Sequence, residues 1–112
     1  MRLPVHYLEV NTFEQQNHLF AMTKEYLIKW LENLWYDSPK EFEEQYYANI
    51  STVLENYKFE NEGISFSRSY SYEPPLDYIS VSIRIYDQAD DYVAEYRAFY
   101  DLDLHIFDDT MR

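Results

Sequence analysis

Three side chains near the C-terminal end of the chain have types and spacing suited to a divalent-metal site. Asp101, Asp103 and His105 alternate with leucines, and an extended strand would place them on one face at intervals of about 6.6 Å. Two carboxylates and an imidazole are suitable metal ligands. Residues i and i+2 of a strand need further ligands from elsewhere, so a solvated strand face opposite Arg84 or Arg97 explains the pattern as well. We therefore assign no metal ligand.

The sequence lacks the motifs of common enzyme classes, which argues against an enzyme. The chain has no cysteine and only one glycine, which excludes thiolate chemistry and a glycine-rich loop that cradles phosphate. A calcium loop starting at Asp87 requires Gly at its sixth position and Glu at its twelfth, whereas Tyr92 and Ala98 occupy them. The serines and histidines form no recognisable nucleophile or metallopeptidase motif. We expect no catalytic residue and no cofactor.

The chain carries a large excess of negative charge. It has 21 acidic and nine basic residues, which give a formal net charge of −12 over 112 residues. Residues 60–112 hold twelve acids and four bases, whereas residues 1–59 hold nine acids and five bases. Such a field repels nucleic acid and anionic membranes and attracts basic protein surfaces. Acidity also promotes solubility, so the charge alone leaves both interpretations open.

Apolar residues at helical spacing predict two helices, over about residues 12–36 and 39–58. Ser38, followed by Pro39, is typical of the first residue before a helix. Because the link between the two predicted helices is so short, we expect them to form a helical hairpin.

After Gly63 the apolar pattern changes to a period of two. It predicts strands over about 64–72, 78–86 and 92–107, separated by turns. Residues 3–10 contain β-forming residues and predict a short additional strand or extended arm.

The expected fold is therefore α+β with two layers in a single domain over residues 1–112. The helical hairpin covers an antiparallel meander of three to four strands, in the order (β)ααβββ. The apolar face of the middle predicted strand is the natural contact for the helices; it comprises Ile79, Val81, Ile83 and Ile85.

The meander and its turns form the candidate partner-binding surface, with the helical hairpin as scaffold. On a strand, Asp101 and Asp103 would repeat at about 6.6 Å, close to twice the 3.4 Å rise per nucleotide step. Glu95 and the turn at 87–91 would continue this row. Tyrosine, with thirteen copies, is a frequent interface residue. The candidate partner-binding residues are Tyr86, Asp87, Asp90, Asp91, Glu95, Asp101 and Asp103.

In size, charge, tyrosine content and lack of cysteine, the chain resembles small acidic proteins that mimic DNA: anti-restriction proteins, anti-CRISPR proteins and inhibitors of uracil-DNA glycosylase. The segment Glu41–Tyr47 is similar to acidic helices of anti-restriction proteins. The resemblance implies an inhibitor that occupies the basic, nucleic-acid-binding surface of a target such as a CRISPR effector or a restriction enzyme, and that binds no nucleic acid itself. It is a resemblance of class without an alignable motif, so no residue role is transferred.

Two other functions remain open. An immunity protein or antitoxin that caps a basic toxin, often a nuclease, has the same charge but uses aromatic anchors such as Trp30, Trp35 or Tyr47. A structural or accessory homodimer would associate through its apolar helices or the serine-rich face of residues 65–71. We expect a cytoplasmic protein without a membrane partner, because cysteine, a signal peptide and a long apolar run are all lacking.

Overall fold

The computed structural model describes residues 7–112, with side chains from Val10 onward. All helices precede all strands in this part of the chain. The helices are α1 (Tyr7–Asn17), α2 (Leu19–Asp37), α3 (Pro39–Tyr46) and α4 (Ile50–Asn56). The strands are β1 (Lys58–Ser69), β2 (Leu76–Tyr86), β3 (Tyr92–Tyr100) and β4 (Ile106–Met111). Among the described residues, no helix combines the length and the apolar character required to cross a membrane.

The strands form one antiparallel meander in the order β1-β2-β3-β4. This arrangement confirms the predicted α+β fold, in which helices precede an antiparallel sheet. Ile64 lies opposite Val81, and Val81 lies opposite Ala98. Because side chains alternate between the two faces of a strand, these register pairs place the apolar residues of three strands on one face of the sheet.

The helical layer covers this apolar face. Leu27 and Leu31 of α2 are fully buried against it, and burial of one such side chain contributes roughly 1.5–3 kcal/mol. A polar contact joins the same two layers, because Thr23 Oγ1 of α2 lies 2.7 Å from the hydroxyl oxygen of Tyr100 on β3. The predicted contact residues of β2 are all fully buried: Ile79, Val81, Ile83 and Ile85.

The predicted helix over residues 12–36 is two helices, so the prediction of one uninterrupted helix is wrong. His18 adopts a left-handed conformation with φ 52° and ψ 44°, and it separates α1 from α2. The carboxylate of Glu14 then accepts a hydrogen bond of 3.2 Å from the N–H of Phe20 in the first turn of α2. Apolar spacing continues across the break, which explains why the pattern does not reveal it.

The predicted helix over residues 39–58 is also divided. It begins after Ser38 as predicted, but Tyr47 has φ 61° and ends α3. Asn49 starts α4, and its side chain accepts a hydrogen bond of 2.9 Å from the N–H of Thr52. α4 ends at Asn56, and β1 begins two residues later at Lys58.

The prediction of a strand over residues 3–10 is wrong for residues 7–10, which lie in α1; residues 3–6 lie outside the described part. Phe13 of α1 packs edge-on against Phe66 of β1, with 5.5 Å between the ring centroids. Such tertiary contacts outweigh the β-propensity of a short segment.

β1 begins at Lys58, well before the predicted start at residue 64. Gly63 therefore lies inside a strand, opposite Ser82, beside a break in register between Asn61 and Gly63. A single glycine after a helical pattern resembles a helix end, but here it accompanies a β-bulge.

Candidate acidic interaction surface

Residues 101–105 form the turn between β3 and β4. The Asp101 N–H donates to the carbonyl of His105 at 2.9 Å, and the Leu104 N–H donates to the carbonyl of Asp101 at 3.0 Å. Leu104 has φ 65°. The Asp101 carboxylate accepts hydrogen bonds from the N–H groups of Asp103 (2.9 Å) and His105 (3.0 Å). The predictions of one long strand and of a shared strand face for the three side chains are therefore wrong, because Asp101 closes a turn.

The predicted turn between β2 and β3 is confirmed, and it repeats the same geometry. The Asp87 N–H donates to the carbonyl of Asp91 at 2.9 Å, and the Asp90 N–H donates to the carbonyl of Asp87 at 3.1 Å. Asp90 has φ 64°. The Asp87 carboxylate accepts from the N–H groups of Ala89 (2.8 Å) and Asp91 (3.0 Å). In both loops an aspartate at the first position closes the turn with its own side chain.

The two loops leave different carboxylates available to a partner. Asp87 and Asp101 are engaged within their own loops. Asp90 accepts a hydrogen bond of 2.6 Å from Lys58 Nζ, and this bond raises the pKa of Lys58. The side chains of Asp91 and Asp103 are exposed and form no ion pair or hydrogen bond within the described residues. These two are therefore the free charges of the loops.

Glu95 lies on the sheet face opposite the helical layer, in a cluster of balanced charge. Its carboxylate lies 3.4 Å from Arg84 Nε and 3.2 Å from a terminal nitrogen of Arg97. Arg84 also contacts Glu62 at 3.3 Å. Because two guanidinium groups face two carboxylates, the middle of this face contributes little to the negative field.

The candidate residues lie at two ends of the sheet. Tyr86 packs edge-on against Tyr92, with 6.1 Å between the ring centroids, beside the loop 87–91. The loop 101–105 lies at the other end of β3, whose nine residues span about 30 Å. The structure thus brings Tyr86 together with one loop, leaves Glu95 between the loops, and forms no continuous row of carboxylates.

The described side chains include no group of three or more His, Asp or Glu residues arranged to hold a metal ion. His105 Nδ1 lies 3.6 Å from Asp101 Oδ2.

The helical layer, which is predicted to be scaffold, also carries exposed acidic side chains. Glu43 and Glu44 are exposed on α3, and Tyr47, which follows the end of this helix, is 81% exposed. Tyr36 is 87% exposed at the end of α2, next to Asp37. The sequence signal for this surface was present, because these residues lie off the apolar stripe of their helices.

On the sheet face opposite the helices, β1 and β2 carry a group of small residues. Ser65 lies opposite Ser80, and Gly63 lies opposite Ser82. Ser80 and Ser82 are only 8% and 7% exposed, because larger neighbours on the same face shield them. The serine face predicted for β1 therefore extends onto β2.

Comparison of the chain with protein-family models, with curated proteins and with solved structures gave no match.

Proposed function

We propose that the protein is a small acidic inhibitor that binds the basic, nucleic-acid-binding surface of a target such as a CRISPR effector or a restriction enzyme by mimicking DNA. The observation that carries the proposal is that, within residues 10–112, most of the carboxylates form no ion pair with Lys or Arg. Apart from Glu9 and Arg2, whose side chains are not described, there are twenty acidic and eight basic side chains. Within residues 10–112, the carboxylates that pair with Lys or Arg are those of Glu62, Asp77, Asp90 and Glu95.

The pattern of the free charge supports a partner with a long basic groove. The loops that carry Asp91 and Asp103 are separated by the length of β3, about 30 Å, which equals about nine steps of 3.4 Å along DNA. A groove lined with Lys and Arg releases counterions when it binds phosphates. An acidic protein that fills the same groove gains from the same release, and it excludes the nucleic acid. Such targets act in the cytoplasm, where we place the protein.

The first test is a pull-down from host-cell lysate at low and at high salt, with the captured proteins identified by mass spectrometry. We expect a nucleic-acid-binding protein that is captured at low salt, is lost at high salt and is displaced by added duplex DNA. If no basic protein is captured at either salt concentration, the proposal is wrong.

A second test locates the binding charge. Reversal of Asp101 would open its turn, so we choose Asp91→Lys combined with Asp103→Lys. The matched control is Glu25→Lys combined with Glu55→Lys, which changes the net charge equally on exposed helical positions. We expect the loop variant to weaken binding to the captured target by about tenfold or more, and the control to weaken it less. Equal effects would show that net charge, and not the loops, determines binding.

An immunity protein that caps a basic toxin is the second candidate, and the exposed tyrosines favour it. Tyr36 and Tyr47 stand out from the acidic helical surface at 87% and 81% exposure, and exposed aromatic side chains are frequent interface anchors. Trp30 and Trp35 pack instead against Tyr96 and Phe42 within the protein. This candidate predicts a complex that survives high salt and is lost on Tyr47→Ala.

A further inference from the structure

The outer edge of β4 presents backbone groups that have no strand partner among residues 7–112. Glu95 and Arg112 bond to each other through both of their backbone groups, at 3.0 Å each. Because bonded pairs alternate in an antiparallel ladder, the N–H and C=O groups of Asp109 and Met111 point away from β3. The Asp109 N–H is held by the Asp108 carboxylate at 2.9 Å. The Asp109 carbonyl and both backbone groups of Met111 have no partner among the described residues.

The open face beside this edge contains an aromatic cavity. Tyr78, Phe99 and Phe107 pack together, with ring centroids 6.0 to 6.5 Å apart. They line a cavity of about 180 Å³ that Asp108 also borders. Aromatic faces carry negative potential and attract Lys and Arg side chains, and a nearby carboxylate strengthens that attraction. The cavity therefore suits one cationic side chain.

The helix side of the same edge contains a second recess, which consists of two cavities. Tyr26 and Trp30 of α2 face the edge strand across two cavities, of about 360 and 310 Å³. Asp108 and Asp109 both border the first cavity, and the Asp109 carboxylate accepts a hydrogen bond of 2.6 Å from the Tyr96 hydroxyl. Glu41 borders the second. Each side of the edge thus combines aromatic walls with a carboxylate.

The opposite edge of the sheet is less suited to the addition of a basic strand. β1 carries a bulge beside Gly63, and its Lys58 and Arg68 form ion pairs with Asp90 and Asp77. Bulges and charged side chains are the usual protection of an edge strand. β4 also has a break in register near its start, where Phe99 and Tyr100 pair with Asp108 and Ile106. Its charged side chains, however, are Asp108 and Asp109, which oppose an acidic segment and favour a basic one.

We propose that the edge of β4 accepts an extended, Lys- or Arg-bearing segment of a partner protein as a fifth strand. Successive side chains of an added strand point to opposite faces. One basic side chain would enter the aromatic cavity beside Asp108, and the next would enter the recess beside Asp109. A second copy of this chain is a poor occupant, because it would bring the same carboxylates of two β4 strands together. The inference rests on the proposed function and names the chemistry of the partner segment.

The test uses a displayed library of random 12-residue peptides selected on the full chain. We expect the enriched peptides to contain adjacent basic residues. We also expect methylation of a peptide's backbone nitrogen to abolish binding when it is made at every second residue, and to have little effect at the residues between. Asp108→Asn combined with Asp109→Asn should weaken the best peptide by about tenfold or more. The matched control, Glu25→Gln combined with Glu55→Gln, removes the same charge from the helices and should leave the affinity within about twofold.

The inference is overturned if no peptide is enriched, if the enriched peptides lack Lys and Arg, or if N-methylation shows no period of two. It is also overturned if the variant with both Asn substitutions binds the peptide as tightly as the parent does. If that double variant does not fold, Asp108→Asn alone replaces it in the same comparison. If the chain still captures a basic protein from lysate after such a result, the proposed function stands and only the strand site is rejected. If neither the peptides nor a basic protein bind, both proposals fail.

Discussion

The buried hydroxyl pair between α2 and β3 offers a sharp test of how the two layers are joined. Thr23 and Tyr100 are both fully buried, and their oxygens lie 2.7 Å apart. Among the described residues, no buried side-chain nitrogen or oxygen lacks a hydrogen-bond partner. The perturbations are Thr23→Val and Tyr100→Phe, singly and together, since each removes one hydroxyl with little change of shape.

The two single substitutions should differ in magnitude. Thr23→Val leaves the Tyr100 hydroxyl buried without a partner, which costs about 1–3 kcal/mol of the free energy of unfolding. Tyr100→Phe leaves the Thr23 hydroxyl able to bond the carbonyl of Leu19, one helical turn earlier, so its cost should be only about 0.5–1.5 kcal/mol. The double variant leaves no buried hydroxyl unpaired. It should therefore be more stable than Thr23→Val alone.

Urea unfolding followed by circular dichroism measures these differences. With an m-value of about 2 kcal/mol/M, a loss of 2 kcal/mol moves the midpoint by about 1 M. The control is Tyr70→Phe, which removes a hydroxyl from a side chain that is 78% exposed. It should change the free energy of unfolding by less than about 0.5 kcal/mol.

Additive effects in the double variant would refute the reasoning, because partners in one hydrogen bond must show a coupling energy. A Thr23→Val protein as stable as the parent would refute it as well, since it would mean that the Tyr100 hydroxyl reaches water or another partner.

Three further predictions concern ionisation and backbone conformation. Burial raises the pKa of both Tyr46 and Tyr100 to about 12. The stabilising effect of each neutral tyrosine is fully present below pH 10, the ordinary pKa that applies in the unfolded chain. As pH rises from 10 to 12, the free energy of unfolding should fall by up to about 1.4 kcal/mol per pH unit for each of the two tyrosines. Tyrosinate absorbance that completes its rise near pH 10 while the protein stays folded would contradict this. The hydrogen bond from Arg68 lowers the pKa of Asp77; NMR titration should show the pKa returning to the ordinary range in Arg68→Gln, and an unchanged value would count against the pair. His18→Gly should be more stable than His18→Ala by about 1 kcal/mol, because only glycine adopts φ 52° without strain; equal urea midpoints would show that the left-handed residue is not strained.

The covered face of the sheet was predictable from the sequence alone. Ile79, Val81, Ile83 and Ile85 alternate with polar residues, and a strand with this pattern must bury one face to remove apolar surface from water. Ser38 and Pro39 predicted the start of α3 for an equally local reason, because the conformation they favour is set within one turn.

The breaks in the elements were not predictable in this way. His18 and Tyr47 interrupt helices at positions where the apolar spacing continues, and Leu104 turns the chain where the strand pattern continues. Left-handed conformations of non-glycine residues are held by the surrounding structure, and a periodic pattern contains no record of that support.

The candidate site shows the same division. The excess of carboxylates follows directly from composition. Which of them remain free was decided by folding, because Asp87 and Asp101 close loops, Asp90 meets Lys58 and Glu95 meets two arginines. The partners of Asp87 and Asp101 are local, but Lys58 lies 32 positions from Asp90, and Arg84 lies 11 positions from Glu95. Only the pairing of the strands brings these two pairs within bonding distance.

The sequence by itself thus determined that this protein is acidic, has a helical layer over an antiparallel meander, and lacks the motifs of the common enzyme classes. Those properties depend on composition and on local periodicity, which each segment expresses independently of the rest. Only the tertiary structure decided that the charged loops lie at opposite ends of β3. It also decided that the edge of β4 lies between two aromatic recesses and meets no further strand within residues 7–112. Distances between segments depend on strand pairing and on the two bends at residues 87–91 and 101–105, and no single segment encodes them.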